Sequence, residues 1–298
     1  MVQSLETQRG IVNTIREFVQ REVLPVAPQM EHEDEYPFEL VERMKELGLF
    51  GAIIPEEYGG LGLDTTTYAL IIEEICRGWM SLSGILNSHL IMAYLVTLHG
   101  TQDQKERFLP LMAKGEKRGG ICITEPNAGS DVQAIETKAV KEGDRYFISG
   151  TKNMVTNGRH GNTFAVVVKT DPLREPAYRG ISLFIAEKGP GLIVARDLVK
   201  LGYKGVDTSE LVFDGYSVSE ENLLGAEEGR GFYHIMSGLE VGRINVAARA
   251  VGVARMALEQ AVKYAQHRET FGKPIAQHQA IQIKLANMAT QIQAAHLI

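Results

Sequence analysis

Cysteine is nearly absent: 298 residues carry two, Cys76 and Cys122, and neither belongs to a CxxC pair. That excludes a disulfide framework and a thiolate zinc site, and it fits a reducing compartment. Long apolar runs are scarce as well. No uninterrupted stretch approaches the roughly 18 residues of a membrane span, and the opening MVQSLETQRG holds no apolar signal core, so the expected location is the cytoplasm, without a membrane span. Charge of neither sign dominates: 31 Lys and Arg face 37 Asp and Glu, a net of −6. Without a basic block the chain is not expected to bind nucleic acid or anionic lipid, and the partner is a small molecule or another protein. GxxxxGK[ST], GxSxG and HExxH are all missing, and the eight histidines show no metal-ligand spacing. No metal site is expected.

What is present is ordinary globular composition, 44% hydrophobic and 23% charged. Single cores stop growing at roughly 250 to 300 residues, so more than one domain is expected. From Ser4 to Leu24 apolar residues recur at helical spacing, and a second helix runs from Phe38 to Gly48, a residue suited to the left-handed position that ends helices. Asp64 can cap a third helix, Ser81 to Leu98 reads as a fourth, and Thr101 with Gln104 has the spacing of a capping box that opens a fifth. Residues 1–117 are thus read as a helical N-terminal domain.

The pattern changes at Gly119. Short β-branched and aromatic stretches (ICIT, YFISG, FAVVVKT, ISLFIAE, LVFDG) alternate with turn residues. About seven such strands without intervening helical patterns predict an antiparallel sandwich or barrel over 118–228, not a parallel dinucleotide-binding sheet. After Gly231 a helix of about 35 residues is expected, with Ile235, Leu239, Val246, Val253, Ala257, Ala261 and Ala265 near one seam. Thr270 to Pro274 breaks it, and a last helix begins near Ile275. The fold class is therefore α+β and multidomain, with 229–298 the start of a C-terminal four-helix bundle of which about half is present. The sequence reading accordingly expects a further C-terminal part.

The segment Ile121-Cys122-Ile123-Thr124-Glu125-Pro126-Asn127-Ala128-Gly129-Ser130-Asp131 stands out chemically. A strand gives way to a loop with two hydroxyls, a proline at the bend and a glycine that allows close backbone approach, which is how a loop offers N–H groups to an anion. Taken alone, a plain turn serves equally well.

Five stretches together, IPEEYGGLGLD (54–64), ICITEPNAGSD (121–131), GTKNMVTNG (150–158), GLEVGRINVAARAVG (238–252) and RETFGKPIAQHQAIQ (268–282), resemble the acyl-CoA dehydrogenase family of flavoproteins, in that family's order and across the whole chain. The resemblance implies a helical domain, a β domain and a helical bundle, assembled as a homotetramer, a dimer of dimers. It implies FAD as cofactor, an acyl-CoA thioester as substrate and an electron-transferring flavoprotein as electron acceptor. Residue by residue, it implies FAD contacts from Ile121, Ile123, Thr124, Gly129, Ser130, Met154, Val155 and Thr156, with Thr124 near the isoalloxazine, the Gly129-Ser130 backbone near the pyrophosphate, and Thr156 near N5. Met154 stands where many relatives carry an aromatic. Arg268, Phe271 and Gln279 match residues that reach FAD in a neighbouring subunit. Ser130, Leu239, Glu240 and Arg243 match contacts to the thioester's CoA arm, with Glu240 replacing an expected Asp. The acyl tail is expected between the N-terminal helices and the bundle.

The implied reaction is α,β-desaturation to the trans-2-enoyl-CoA: a carboxylate takes the α-proton while the β-hydride passes to the flavin. One branch of the family places its base at the position of Gly242, which has no side chain; the other places it well beyond residue 298. No catalytic residue is therefore assigned within 1–298, and the fragment alone is expected to be inactive. Two alternatives share the motifs: an acyl-CoA oxidase or flavin monooxygenase on the same fold, and a non-catalytic paralogue that binds CoA esters.

Overall fold

The structure, a computed structural model, describes residues 3–298. Helix α1 (Leu5–Phe18) starts where the Ser4 hydroxyl accepts the Thr7 N–H, and it passes into a π-helical turn, Val19–Val23. Gly78, the last residue of α4 (Thr65–Gly78), rests on Val19 and Val23, and a Cβ there would come within 2.7 Å of Val19. Asp64 caps α4 as expected, accepting the Thr67 N–H at 2.7 Å. Two short helices lie between, α2 (Ala27–Glu33), which the sequence reading does not include, and α3 (Phe38–Glu46), with Gly48 in the left-handed region after it.

Helix α5 (Met80–His99) is the hub. It carries no single apolar face, because α4, α6 (Gln102–Ala113) and the β domain surround it. By length and composition it could cross a membrane, which corrects the expectation that no segment approaches that length; here 72% of its apolar window is buried inside the protein. The capping box of α6 is formed by Thr101 and Gln104, and the Gln104 amide also donates to the carbonyls of Glu221 and Leu223, both at 2.7 Å, tying helices to the β domain.

The β domain is one seven-stranded sheet: β1 (Gly119–Cys122), β2 (Lys138–Glu142), β3 (Arg145–Thr156), β4 (Thr163–Lys169), β5 (Ile181–Glu187), β6 (Leu192–Asp197) and β7 (Thr208–Ser219), in the order β1-β4-β2-β3-β7-β6 with β5 also on β4. Most neighbours are antiparallel. β1 and β4, however, run parallel, because the β2-β3 hairpin intervenes in sequence and returns the chain to the end where it started. β4 and β5 are buried on both sides: Phe164, Val166, Val168, Phe184 and Ala186 fill the β core, while Ala165, Val167, Leu183 and Ile185 pack on Leu109, Met112 and Ile235 of the helices.

Helix α7 (Gly231–His267) runs 37 residues. Of the expected apolar seam only Ile235 and Ala265 are buried. Gly238, Gly242, Asn245, Ala248 and Gly252 face α4 and α5, whereas Val246 and Val253 are 55% and 42% exposed. The physical reason is closeness: a Cβ at Gly252 would overlap the Glu73 carbonyl, so only small residues let α7 lie against α4. A two-strand hairpin, β8 (Glu269–Thr270) and β9 (Lys273–Pro274), turns through Phe271 and Gly272, both at positive φ, into α8 (Gln279–His296). α8 buries none of its residues fully, and its link to α4 is polar: Glu73 accepts from His296 at 2.7 Å, and it also accepts from Arg255 of α7 at 2.5 Å.

The hub holds one titratable group that must stay neutral. His89 is fully buried, its Nε2–H donates to the Phe50 carbonyl at 3.0 Å, and burial pushes its imidazole from 6.5 down to about 4. The unfolded chain takes up this proton as pH falls through 6.5 and the folded chain does not. Stability present above pH 6.5 is therefore lost toward pH 4, by about 3 kcal/mol from this group. Urea unfolding at pH 7 and 4.5 should show that His89→Gln, whose amide can keep the bond to Phe50, loses less on acidification than the parent; equal losses would rule this group out.

Candidate functional site

The loop after β1 is held by a buried ion pair. Lys152 on β3 is fully buried; its ammonium meets the Glu125 carboxylate at 2.6 Å and the Ile123 carbonyl at 3.1 Å. Glu125 also accepts the backbone N–H of Glu136 at 2.6 Å and of Thr137 at 3.1 Å. Burial opposes the charge on Glu125, but the Lys152 ammonium and these donors outweigh it and hold the carboxyl below its usual range. The Asn153 N–H adds a bond to the Thr124 carbonyl at 2.7 Å, and the Glu125–Ala128 bridge closes the turn, so Pro126 and Asn127 stand at its tip.

This frame sets out two partly buried hydroxyl residues, Thr124 at the end of β1 and Thr156 at the end of β3. Asn157 secures the second: its side-chain amide donates to the carbonyls of Ile85 on α5 (2.9 Å) and Gly119 on β1 (2.8 Å). Between Lys152 and Val155 a register shift against β7 turns Met154 outward, 60% exposed at φ 58°. Gly129 and Ser130 are exposed, nothing lies within 4 Å of where a Gly129 Cβ would sit, and among the described residues their N–H groups meet no acceptor. Free N–H donors beside an open space suit a phosphate. The site residues thus fit a flavin dinucleotide: free donors at Gly129-Ser130, hydroxyls at Thr124 and Thr156, and an exposed apolar Met154 two residues before Thr156. Ile121 and Ile123 are half-buried against the helical core. Val155 turns its side chain into the β core, so only its backbone faces the site.

On α7, Leu239 is half-buried, Glu240 and Arg243 are exposed, and they form no ion pair with each other. Gly242 packs on Ile91 of α5, where a Cβ would lie 2.9 Å from its side chain. Arg268, Phe271 and Gln279 are exposed beyond the far end of α7, roughly 36 Å along the axis from Arg243. Phe271 is 97% exposed and the Arg268 guanidinium has no partner among the described residues. One chain therefore does not bring these three to the loop.

Sequence reasoning missed Lys152, Glu125 and Asn157. The signal for Lys152 was its phase: it shares the inward side of β3 with Tyr146 and Ile148, an improper place for an unpaired cation.

Residues 5–116 match the acyl-CoA dehydrogenase N-terminal domain, 120–216 its middle domain and 229–298 its C-terminal domain. The chain belongs to the acyl-CoA dehydrogenase family. It is 42% identical over 287 residues to an acyl-CoA dehydrogenase of Bacillus subtilis, an alignment covering 95% of this chain and 75% of that one. Among solved structures, a chain from a study of the electron transferring flavoprotein of Acidaminococcus fermentans superposes with a TM-score of 0.94 at 38% identity, covering 98% of this chain and 77% of that one. A glutaryl-CoA dehydrogenase from Mycobacterium smegmatis in complex with FADH2 does so at 0.90 and 28%, covering 99% and 74%.

The pin itself is testable. Lys152→Met leaves a buried carboxylate unpaired and should cost about 3 to 5 kcal/mol, part of it recovered when Glu125 is also made Gln, which removes the charge and keeps an acceptor for the Glu136 and Thr137 N–H groups. Because the folded Glu125 carboxyl lies below its ordinary 4.5, the pair's contribution is present above that pH and is lost as pH falls through the lower folded value. Urea midpoints between pH 3 and 7 check both statements; a single variant as stable as the parent refutes the pin.

Proposed function

We propose that this chain supplies the FAD and thioester surfaces of an acyl-CoA dehydrogenase. The observation that carries the reading is the pinned loop: Gly129 and Ser130 are exposed, Thr124 and Thr156 are half-buried, and the frame beneath them cannot shift without breaking a buried ion pair. When bound, FAD supplies the hydride acceptor. Gly129 and Ser130 would hold its phosphates through backbone N–H groups, and the Thr124 and Thr156 hydroxyls would orient the ring. Met154 would cover it through a polarisable sulfur. Ser130, Leu239, Glu240 and Arg243 would take the CoA arm, with Leu239 excluding water and Arg243 facing its phosphates.

We infer that none of the described residues, 3–298, removes the α-proton. Gly242 has no side chain, and Glu240, two residues before it, is exposed on another side of α7. We assign that proton to a carboxylate outside these residues. Arg268, Phe271 and Gln279 would close the cofactor site of a second subunit, which makes a homotetramer part of the chemistry, and electrons would leave to an electron-transferring flavoprotein. The expected location is the cytoplasm.

The test uses the full-length protein. It should purify yellow, bleach anaerobically with butyryl-CoA, and consume little oxygen on re-aeration in the presence of an electron acceptor dye. Fast oxygen consumption would favour the oxidase alternative, and colourless protein the non-catalytic one. A chain ending at Ile298 should show no turnover. Arg268→Ala should weaken FAD binding by roughly tenfold to a hundredfold, as expected for a charge-assisted contact, with its helical circular dichroism unchanged; unaltered affinity would remove Arg268 from the cofactor site.

A further inference from the structure

The contact between α5 and α7 has a distinctive end. Three α5 residues on one face mark its course. Ile91 meets Gly238 and Gly242 of α7, Ser88 lies under Gly120 and hence beside Thr156, and Gly84, a turn further on, lies under Tyr203. Any side chain at position 84 would overlap the Tyr203 hydroxyl. Tyr203 belongs to the connection between β6 and β7 and sits at φ 63°, a costly conformation for an aromatic residue that the surrounding packing must hold.

Arg249 of α7 clamps that phenol. Its Nη1 donates to the Tyr203 oxygen at 2.8 Å, and its guanidinium stands 5.1 Å from the ring centre. Nη2 donates to Asn245 Oδ1 at 2.8 Å, and the buried Asn245 donates to the Tyr68 hydroxyl, also at 2.8 Å. Every partner is neutral. Arg249 Nε is buried without a partner, and so is Oδ1 of Asn87, the residue before Ser88 on α5. The other arginines between the helices differ: Arg16, Arg77 and Arg255 each meet a carboxylate, at 2.9, 2.7 and 2.5 Å. Arg249 has no carboxylate within 4.0 Å among the described residues. Arg249 is half-buried with its Nε covered; a cation partly withdrawn from water is stabilised by a facing anion, and the missing counter-charge points to the ligand.

We propose that Tyr203 and Arg249 form the end stop of the acyl channel, so that the site takes a short acyl group whose terminus carries a carboxylate for Arg249. The inference rests on the dehydrogenase reading above. From Gly242 to Arg249 is roughly 10 Å along α7; the arginine reaches back into that distance, leaving room for a short tail only.

Glutaryl-CoA and pentanoyl-CoA share five acyl carbons and differ at the terminus, and octanoyl-CoA tests length. Their dissociation constants can be read from the flavin absorption change in the full-length, FAD-loaded protein, without turnover. Glutaryl-CoA should bind at least tenfold tighter than pentanoyl-CoA, and octanoyl-CoA weakest. Arg249→Gln should lose at least tenfold for glutaryl-CoA and less than threefold for pentanoyl-CoA. Arg249→Lys, which keeps the charge, should retain part of the preference if the Gln variant does not fold. Tyr203→Gly, which suits the positive φ, should admit octanoyl-CoA. Equal binding of the two five-carbon thioesters by the parent, or equal losses for both in Arg249→Gln, overturns the proposal and leaves Arg249 a structural residue. If none of the three perturbs the flavin, the dehydrogenase reading fails, and this inference with it.

Discussion

The Lys152–Glu125 pair is the constraint on which the site depends. On the proposed reading this loop offers its backbone to a cofactor, and N–H groups offered in that way cannot also be spent on the loop's own structure, so something else must hold it. Here a fully buried ammonium spans the end of β1 and the start of the loop, while the carboxylate it meets is shared with two N–H groups before β2. Removing either charge strands the other in the protein interior, so the arrangement is self-enforcing. The open side of the loop stays free because the closed side is over-determined.

The second constraint is the close approach of α7 to α4 and α5, achieved by glycines where a longer side chain would be expected. It has a chemical consequence. Gly242 meets Ile91 so closely that a side chain could enter only by displacing it. A chain packed this way cannot carry its base on that face of α7, which is why the α-proton is assigned to a carboxylate that approaches from elsewhere. The same closeness puts Asn245 and Arg249 on the inner face, where an apolar seam was expected, and leaves Val246 and Val253 outward.

Much was legible in the sequence because local rules and the fold agree. Ser4, Asp64 and Thr101 cap helices in the structure, and the strand stretches after Gly119 form one sheet. The illegible parts depend on contacts distant in sequence. The parallel β1–β4 pair follows from where a hairpin returns the chain, and α2 is too short, at seven residues, to show a period. Local pattern singles out neither Lys152 nor Tyr203: the phase of β3 turns Lys152 inward, and the Tyr203 hydroxyl lies over Gly84, far away in sequence. Thr124, Ser130, Met154 and Thr156 were chosen by resemblance. Periodicity finds faces, not ligands.

The remaining candidate cofactor residues say something about assembly. Phe271 stands almost fully exposed on a two-residue turn whose positive φ is unfavourable for an aromatic. Beside it Arg268 lacks an acceptor, and along α7 and α8 an apolar groove of about 500 Å³, lined by Ala250, Ala254, Met288 and Ile292 among others, is open. Hydrogen bonds from Ile275 to the Arg268 carbonyl and between Thr270 and His278 hold the hairpin, while its apolar ring and cation, left in water, would gain from a surface to dock against. If that surface is a second subunit's cofactor site, FAD binding and assembly are one equilibrium, since a ligand that binds only the assembled form stabilises it by mass action. The roughly 36 Å between Arg243 and Arg268 then separates two half-sites that serve different cofactors.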